Sequence, residues 1–291
     1  MSERLKGKVA WISGGCSGMG LGTVEVFVEQ GAQVVVADIQ EEKGAALEER
    51  FPGQVRFVRC DVTKEKDIIE AIAFSEKTFG GLDVMYNNAG AAGKGLLIEE
   101  MTAEDWDYMN ALLLRSTVLA CREAVPLMKK RGKGSIINNS SGTAVLTYGN
   151  GTAYGTMKAG VLNFTRLLAE ELAPHHIRVN VIIPGFILTS IIGNMLGEPV
   201  EVGDAMIPHL VEHYETMQPI PIAGEGRDIG EAVAFFASDA ARWVTGVVMP
   251  VDGGLVVKNQ VTHDENDPDG FGAAVMRARD LAKAELAASK G

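Results

Sequence analysis

Apolar residues in this chain gather in short, largely β-branched runs, and the segments between the runs carry their apolar positions at helical spacing. The first run, Val9-Ala10-Trp11-Ile12, meets a glycine-rich stretch and then a helical pattern from about Gly20 to Gln30 that Gly31 can close. Val34-Val35-Val36-Ala37 ends at Asp38, and Val55-Arg56-Phe57-Val58 ends near Asp61. Later runs are Leu82-Asp83-Val84-Met85, Ser135-Ile136-Ile137-Asn138, Arg178-Val179-Asn180-Val181-Ile182 and Val247-Val248-Met249-Pro250-Val251. Runs of this kind suit strands buried on both faces. Their alternation with helices predicts an α/β architecture in which right-handed crossovers join parallel strands.

No linker rich in Ser, Gly or Pro cuts the chain before residue 255 and no repeat is present, so residues 1–255 are expected to form one domain. Residues 256–291 form a C-terminal extension of different character. His263-Asp264-Glu265-Asn266-Asp267-Pro268-Asp269-Gly270 is an acidic turn segment, and an Ala-rich helix is expected from about Phe271 to Ser289. Its apolar stripe is weak, which leaves open whether it packs on this subunit, on a neighbour or on nothing.

Composition narrows the function classes. Hydrophobic residues at 46% and charged residues at 22% describe a folded chain and not a disordered one. A formal net charge of −11 argues against nucleic acid or an anionic membrane as partner, since both require a concentrated positive face. Cys16, Cys60 and Cys121 are widely spaced with no CxxC pair. They give no disulfide or zinc framework and point to a reduced compartment, the cytoplasm. No segment reaches the roughly 18 uninterrupted apolar residues of a membrane span, and the N-terminus lacks the apolar core of a leader.

The 34 glycines direct attention to one turn. Ser13-Gly14-Gly15-Cys16-Ser17-Gly18-Met19-Gly20 lies between the first strand and the first helix. There glycine lets the backbone approach a pyrophosphate, and the helix N-terminus offers it unpaired N–H groups. Any tight turn uses glycine, so the pattern gains meaning only from its place after a strand. Asp38 ends the second strand 18 residues beyond Gly20, where a carboxylate accepts hydrogen bonds from the adenosine ribose hydroxyls and repels a 2′-phosphate. No Lys or Arg lies between Gly14 and Val36 to hold such a phosphate, so NAD is expected over NADP.

Tyr154 and Lys158 stand four residues apart in helix-compatible sequence, which puts both side chains on one face. A free phenol, with a pKa of about 10, is a poor base at neutral pH, but a neighbouring ammonium and a positively charged nicotinamide stabilise the phenolate. Ser141, next to Ser140, lies 13 residues before Tyr154 at the end of a strand.

In their order and spacing these motifs resemble the short-chain dehydrogenase/reductase family. The resemblance rests on the Gly-xxx-Gly-x-Gly turn, Asp61-Val62, Asn87-Asn88-Ala89-Gly90, the Ser141, Tyr154 and Lys158 intervals, Pro184-Gly185-Phe186-Ile187-Leu188-Thr189 and Val251-Asp252-Gly253-Gly254, and it covers roughly residues 5–255. It implies a single doubly wound Rossmann-type domain, a parallel seven-stranded sheet with helices on both faces, to which the C-terminal helical extension is added. It also implies hydride transfer between NAD and a secondary alcohol or ketone, with Tyr154 as general acid/base, Lys158 lowering its pKa and holding the ribose, and Ser141 bonding the substrate oxygen. Cofactor contacts are implied at Gly14, Ser17, Gly18, Met19 and Gly20, at Asp38 and Ile39, and at Asp61 and Val62 beside the adenine. Asn88, Ala89 and Gly90 follow, with Tyr154, Lys158, Pro184 and Gly185, and with Ile187 and Thr189 at the carboxamide. A homo-tetramer or homo-dimer through the helices of residues 106–131 and 152–172 is implied as well.

The chain departs from the family in two places. Ser13 stands where Thr is usual, and an ungapped count from Trp106 to Pro126 puts Leu113 where members commonly carry an Asn that positions a relay water. Leucine cannot do this; Asn110 is the substitute one turn earlier, with plain helix surface as its simpler role. The departure keeps a second class open, a catalytically silent NAD-binding protein, against which the full Ser141, Tyr154 and Lys158 set argues.

His209-Leu210-Val211-Glu212-His213 spells the zinc pattern H-x-x-E-H. It falls inside the family's substrate lid, about residues 189–222, so polar lid surface is the preferred interpretation and no metal is expected. The lid's apolar set is Ile191, Ile192, Met195, Leu196, Met206, Ile207, Leu210, Tyr214 and Met217. This set is equally compatible with core. With Thr143, Val145 and Tyr148 after Ser141, it predicts a mostly apolar pocket in which Thr143 and Tyr148 join Ser141 and Tyr154 on the substrate. A cyclic or apolar alcohol fits such a pocket; polyols and sugars do not. His175 and His176 sit at a helix end and are assigned a structural role.

Overall fold

The computed structural model describes residues 3–147, 151–258 and 271–288. Successive strand residues face opposite ways, and the two sides of the sheet meet different cores. Ala10, Ile12, Val34, Val36, Tyr86 and Ile137 pack on one side with Val24, Phe27, Ile229 and Val233. Trp11, Val35, Met85, Ile136 and Val179 pack on the other with Ile68, Ile72, Ala120, Ala124 and Leu172. This double burial explains why the strands read as near-continuous apolar runs.

The strands are β1 (Val9–Ser13), β2 (Gln33–Asp38), β3 (Val55–Arg59), β4 (Val84–Asn87), β5 (Gly134–Asn139), β6 (Ile177–Pro184) and β7 (Val248–Val251). They form one all-parallel sheet in the order β3-β2-β1-β4-β5-β6-β7. β4 starts two residues later than its apolar run suggested, because Asp83 is used for anchoring: its carboxylate accepts from the Val9 N–H at 2.8 Å and faces Arg131. The helices are α1 (Gly18–Glu29), α2 (Glu41–Arg50), α3 (Glu65–Phe79), α4 (Ala103–Met109), α5 (Ser116–Arg131), α6 (Gly151–Leu172), α7 (Ile191–Met195), α8 (Val200–Met206), α9 (Val211–Met217), α10 (Gly226–Ala237) and α11 (Phe271–Ala288). α1 and α10 cover one face; α3, α5 and α6 cover the other. α1 and α10 touch backbone to backbone, since a Cβ on Gly230 would lie 2.7 Å from the Gly22 carbonyl oxygen.

Strand order reverses between β1 and β4, which opens a crevice at the carboxyl ends of the strands. β6 leads into the short helices α7 to α9, and α11 returns to pack against α8 and the turn Ile207–Leu210. The C-terminal helix therefore docks on its own chain. Among the described residues no helix is long and apolar enough to cross a membrane.

Candidate active site

The glycine turn is closed by hydrogen bonds between strand ends. Gly14 and Gly18 take left-handed conformations, with φ of +64° and +52°, and a Cβ on Gly20 would strike the Gly14 carbonyl. The Ser13 hydroxyl accepts from the N–H groups of Asn88 and Ala89 at 3.0 and 3.1 Å, which ties β1 to the turn after β4. Asn88 donates through Nδ2 to the carbonyls of Ser13 and Gly14 at 3.0 and 3.1 Å. Asp38, only 5% exposed, accepts from the Cys16 and Gln40 N–H groups at 3.0 and 3.1 Å.

The turn opens on a cleft of about 440 Å³ that brings together Gly14, Ser17, Gly18, Met19, Asp38, Ile39, Asp61, Val62, Asn88, Ala89, Gly90 and Thr189, while Gly20 is not among its lining residues. Arg59 also lines it, a cation that a search between Gly14 and Val36 misses because it comes from the neighbouring strand. Its guanidinium is committed to Glu41 at 3.3 Å and Asp67 at 3.4 Å.

A second chamber of about 220 Å³ adjoins the cleft and shares Met19, Asn88, Gly90, Thr189 and Ile191 with it. Here α6 presents Tyr154 and Lys158, 7% and 4% exposed, beside Ser141, Asn139, Pro184, Gly185 and Ile187. Lys158 Nζ donates to the Asn139 carbonyl at 2.9 Å and lies 5.7 Å from the centre of the Tyr154 ring. A buried amide chain holds α6 in register with the sheet: Asn87 donates to Asn138 at 2.8 Å, and Asn138 donates to Thr165 at 2.9 Å.

The choice between the two adjacent serines is decided by geometry. Ser140 is spent as a brace, its hydroxyl donating to the Lys158 carbonyl at 2.8 Å, whereas Ser141 accepts from the Thr143 hydroxyl at 3.0 Å and hydrogen-bonds with Tyr154. Thr143 reaches the site only through Ser141 and is not among the residues lining the chamber. Tyr148 lies outside the described residues. Burial pushes the Tyr154 phenol up, with Ser141 opposing it, and pushes the Lys158 ammonium down to about 8.

A family model described as "Enoyl-(Acyl carrier protein) reductase" matches residues 14–256. Tropinone reductase-like 2 of Erythroxylum coca is 36% identical over 260 residues, covering 88% of this chain and 93% of that protein. The 2,5-dichloro-2,5-cyclohexadiene-1,4-diol dehydrogenase of Sphingobium indicum is also 36% identical, over 88% and 99%. The crystal structure of levodione reductase superposes with a TM-score of 0.77 at 29% identity, covering 88% of this chain and all of that one. The chain belongs to the short-chain dehydrogenase/reductase family. This short-chain dehydrogenase/reductase is accordingly an oxidoreductase that uses a nicotinamide dinucleotide, NAD(H) or NADP(H).

Its two departures from the family acquire a shape. Ser13 keeps a hydroxyl on the two turn N–H groups described above, so the loss of a methyl group leaves that tie intact. Leu113 sits in a π-helical turn (Asn110–Arg115) between α4 and α5, 2% exposed, clustered with Met109, Tyr154 and Met157. A Cβ placed on Gly90 would lie 3.0 Å from Leu113 Cδ2 and 3.8 Å from Lys158 Nζ, so the leucine stands as an apolar backing to that part of the site. Neither Leu113 nor Asn110 lines the chamber.

The H-x-x-E-H residues fall on separate short elements, His209 in the turn before α9 and His213 within it. His209 faces Glu285 at 3.3 Å. Among the described residues no group of three or more His, Cys, Asp or Glu is placed to hold a metal. Cys16, Cys60 and Cys121 are buried and unpaired, and burial pushes each thiol up to about 12, which makes them inert.

Proposed function

We propose that the protein interconverts an apolar or cyclic secondary alcohol and its ketone, using NAD, with Tyr154 as general acid/base. The observation that carries this is the convergence of Tyr154, Lys158 and Ser141 in one chamber that opens onto the cleft bearing Asp38.

The residues present fit a dinucleotide. The turn presents Gly14, Ser17, Gly18 and Met19 to the cleft, and Gly20 lets it close on itself, since a Cβ there would meet the Gly14 carbonyl. Asn139, 5% exposed in the chamber wall, uses Nδ2 on Asn88 at 3.3 Å and has a buried Oδ1 with no partner, an acceptor suited to a donor at the nicotinamide end. Gly14, Ser17, Gly18, Met19 and Gly20 would hold the phosphates, Asp38 and Ile39 the ribose edge, and Asp61 and Val62 the adenine. Asn88, Ala89 and Gly90 would flank the second ribose, with Pro184, Gly185, Ile187 and Thr189 at the carboxamide. Asp38 excludes a 2′-phosphate by charge, and Arg59, already paired twice, does not offset it.

A nicotinamide dinucleotide held there would supply the hydride acceptor for alcohol oxidation and the hydride donor for ketone reduction. In oxidation the alcohol proton passes to the Tyr154 oxygen while Ser141 Oγ holds the substrate oxygen; in reduction the phenol returns the proton. Burial alone raises the phenol, so positive charge beside it must favour the phenolate, and Lys158 is placed to contribute. Ile192, Met195 and Tyr214 give the chamber its apolar wall, and the cyclohexadiene-diol named for one relative agrees with a ring substrate.

Exposed Tyr108, Val118 and Leu167, on the two helices expected at interfaces, support a homo-tetramer or homo-dimer, and the unpaired buried cysteines support a cytoplasmic setting. A paired NAD and NADP screen over cyclic secondary alcohols, ketones and polyols tests the proposal. The expected result is turnover with NAD and a cyclic alcohol that is lost in Tyr154→Phe; dinucleotide binding with no turnover of any alcohol or ketone would instead indicate a silent binder.

A further inference from the structure

Helix α11 lies beyond the stretch matched by the family model, which ends at residue 256, yet one of its faces is thoroughly buried. Ala274, Val275, Ala278 and Ala282 recur at helical spacing, and Ala278 and Ala282 are 1% and 0% exposed. Val275, Ala278 and Ala282 form one apolar cluster with Ile192 of α7, Met206 of α8, Leu210 of the turn before α9 and Tyr214 of α9. Small side chains at 278 and 282 let the helix lie close to these partners. Polar contacts flank it: Lys283 forms an ion pair with Glu198 at 2.6 Å, and Glu285 faces His209 at 3.3 Å. The first histidine of the H-x-x-E-H motif thus meets the C-terminal helix.

Two of these short helices, α7 and α9, supply a wall of the chamber through Ile191, Ile192, Met195 and Tyr214. α7, α8 and α9 have five, seven and seven residues, too few to hold helical order by themselves. Their order must come from packing, and α11 supplies some of it, lying directly on α8 and the turn before α9 and sharing one apolar cluster with Ile192 and Tyr214. We infer that α11 is a positioning element for substrate: it clamps the outside of the lid so that Ile192, Met195 and Tyr214 present a fixed surface to the substrate's apolar body. The ligand's identity rests on the alcohol/ketone proposal; the clamping does not.

Ala282→Glu in the full chain tests this, with Ala282→Ser as the size-conserving partner. The glutamate places a carboxylate in an apolar contact and should open the lid; KM for the best cyclic alcohol is expected to rise roughly tenfold, with kcat changed less than about threefold and the Kd for NAD, by calorimetry, within about twofold. Amide exchange over residues 191–217 should accelerate by roughly tenfold while exchange in β1 and α1 stays as before. The serine variant should stay near the parent in all of these, and a chain ending at Lys258 should reproduce the glutamate variant. Unchanged KM and exchange in both the glutamate variant and the shortened chain would overturn the inference, as would equal losses of substrate and dinucleotide affinity, the mark of general destabilisation. A parent enzyme that turns over no alcohol or ketone, with lid exchange still accelerated in the variants, would sink the substrate class and uphold the clamp.

Discussion

The cleft at the glycine turn and the short helices α7 to α9 are held together in different ways. Around the glycine turn, strand ends are tied by directional hydrogen bonds, from the 88–89 N–H groups to the Ser13 hydroxyl, from Asn88 to the 13–14 carbonyls and from the Cys16 N–H to Asp38. Around α7 to α9, the contacts are mainly apolar side chains on short helices, braced by α11. Directional contacts fix atoms to within tenths of an ångström, which a cofactor shared by a whole family demands. Apolar packing specifies volume more than direction, so a lid of this kind admits change of substrate without disturbing the cofactor.

The largest expected effect separates chemistry from both regions. Tyr154→Phe should lower kcat by about 10³-fold, within the usual range for loss of an acid/base group, and leave dinucleotide Kd unchanged; equal losses in both would mean the phenol is merely part of the cleft. Gly20→Ala attacks the directional half. Its methyl would collide with the Gly14 carbonyl, and an overpacking cost of about 2 kcal/mol corresponds to roughly 30-fold weaker NAD binding in calorimetry.

The pH dependence probes the seam between the two. In the proposed reaction ionised Tyr154 is the reactive form for alcohol oxidation, and burial raises its pKa, so kcat/KM for oxidation should climb by up to about tenfold per pH unit above neutrality. Ketone reduction uses the protonated phenol and should be flat or falling over the same range. Lys158, held down to about 8, loses its charge on the way and should bend the oxidation profile near that pH. Parallel profiles in the two directions would contradict these assignments. Asp38→Ser should shift the NAD/NADP preference by roughly tenfold toward NADP, read as a ratio of kcat/KM values, by removing the charge that opposes a 2′-phosphate. The smallest effect belongs to the lid: Met195→Ala should change KM by about threefold, differently for large and small ring substrates, with NAD affinity untouched.

Much of this was legible along the chain. Strand order of the motifs, the glycine turn, the two faces of the sheet and the pairing of Tyr154 with Lys158 follow from local periodicity and from spacing within one helix or one turn. Ser141 was preferred to Ser140 for its interval to Tyr154, and in the structure the Ser140 hydroxyl bonds the Lys158 carbonyl while that of Ser141 bonds Thr143 and Tyr154. The cation at 59 escaped notice because strands far apart in sequence lie side by side in a parallel sheet.

By itself, then, the order of residues determined the α/β class, the seven strands, the glycine turn after the first of them and the spacing that puts Tyr154 and Lys158 on one helix face, since each depends on contacts within a few residues or on a repeating pattern. Only the tertiary structure decided where α11 docks, what His209 meets, what stands beside Leu113 and which lid residues face the chamber. Those depend on which surfaces of separate elements come together, and a weak apolar stripe such as that of α11 specifies that something must cover it without specifying what.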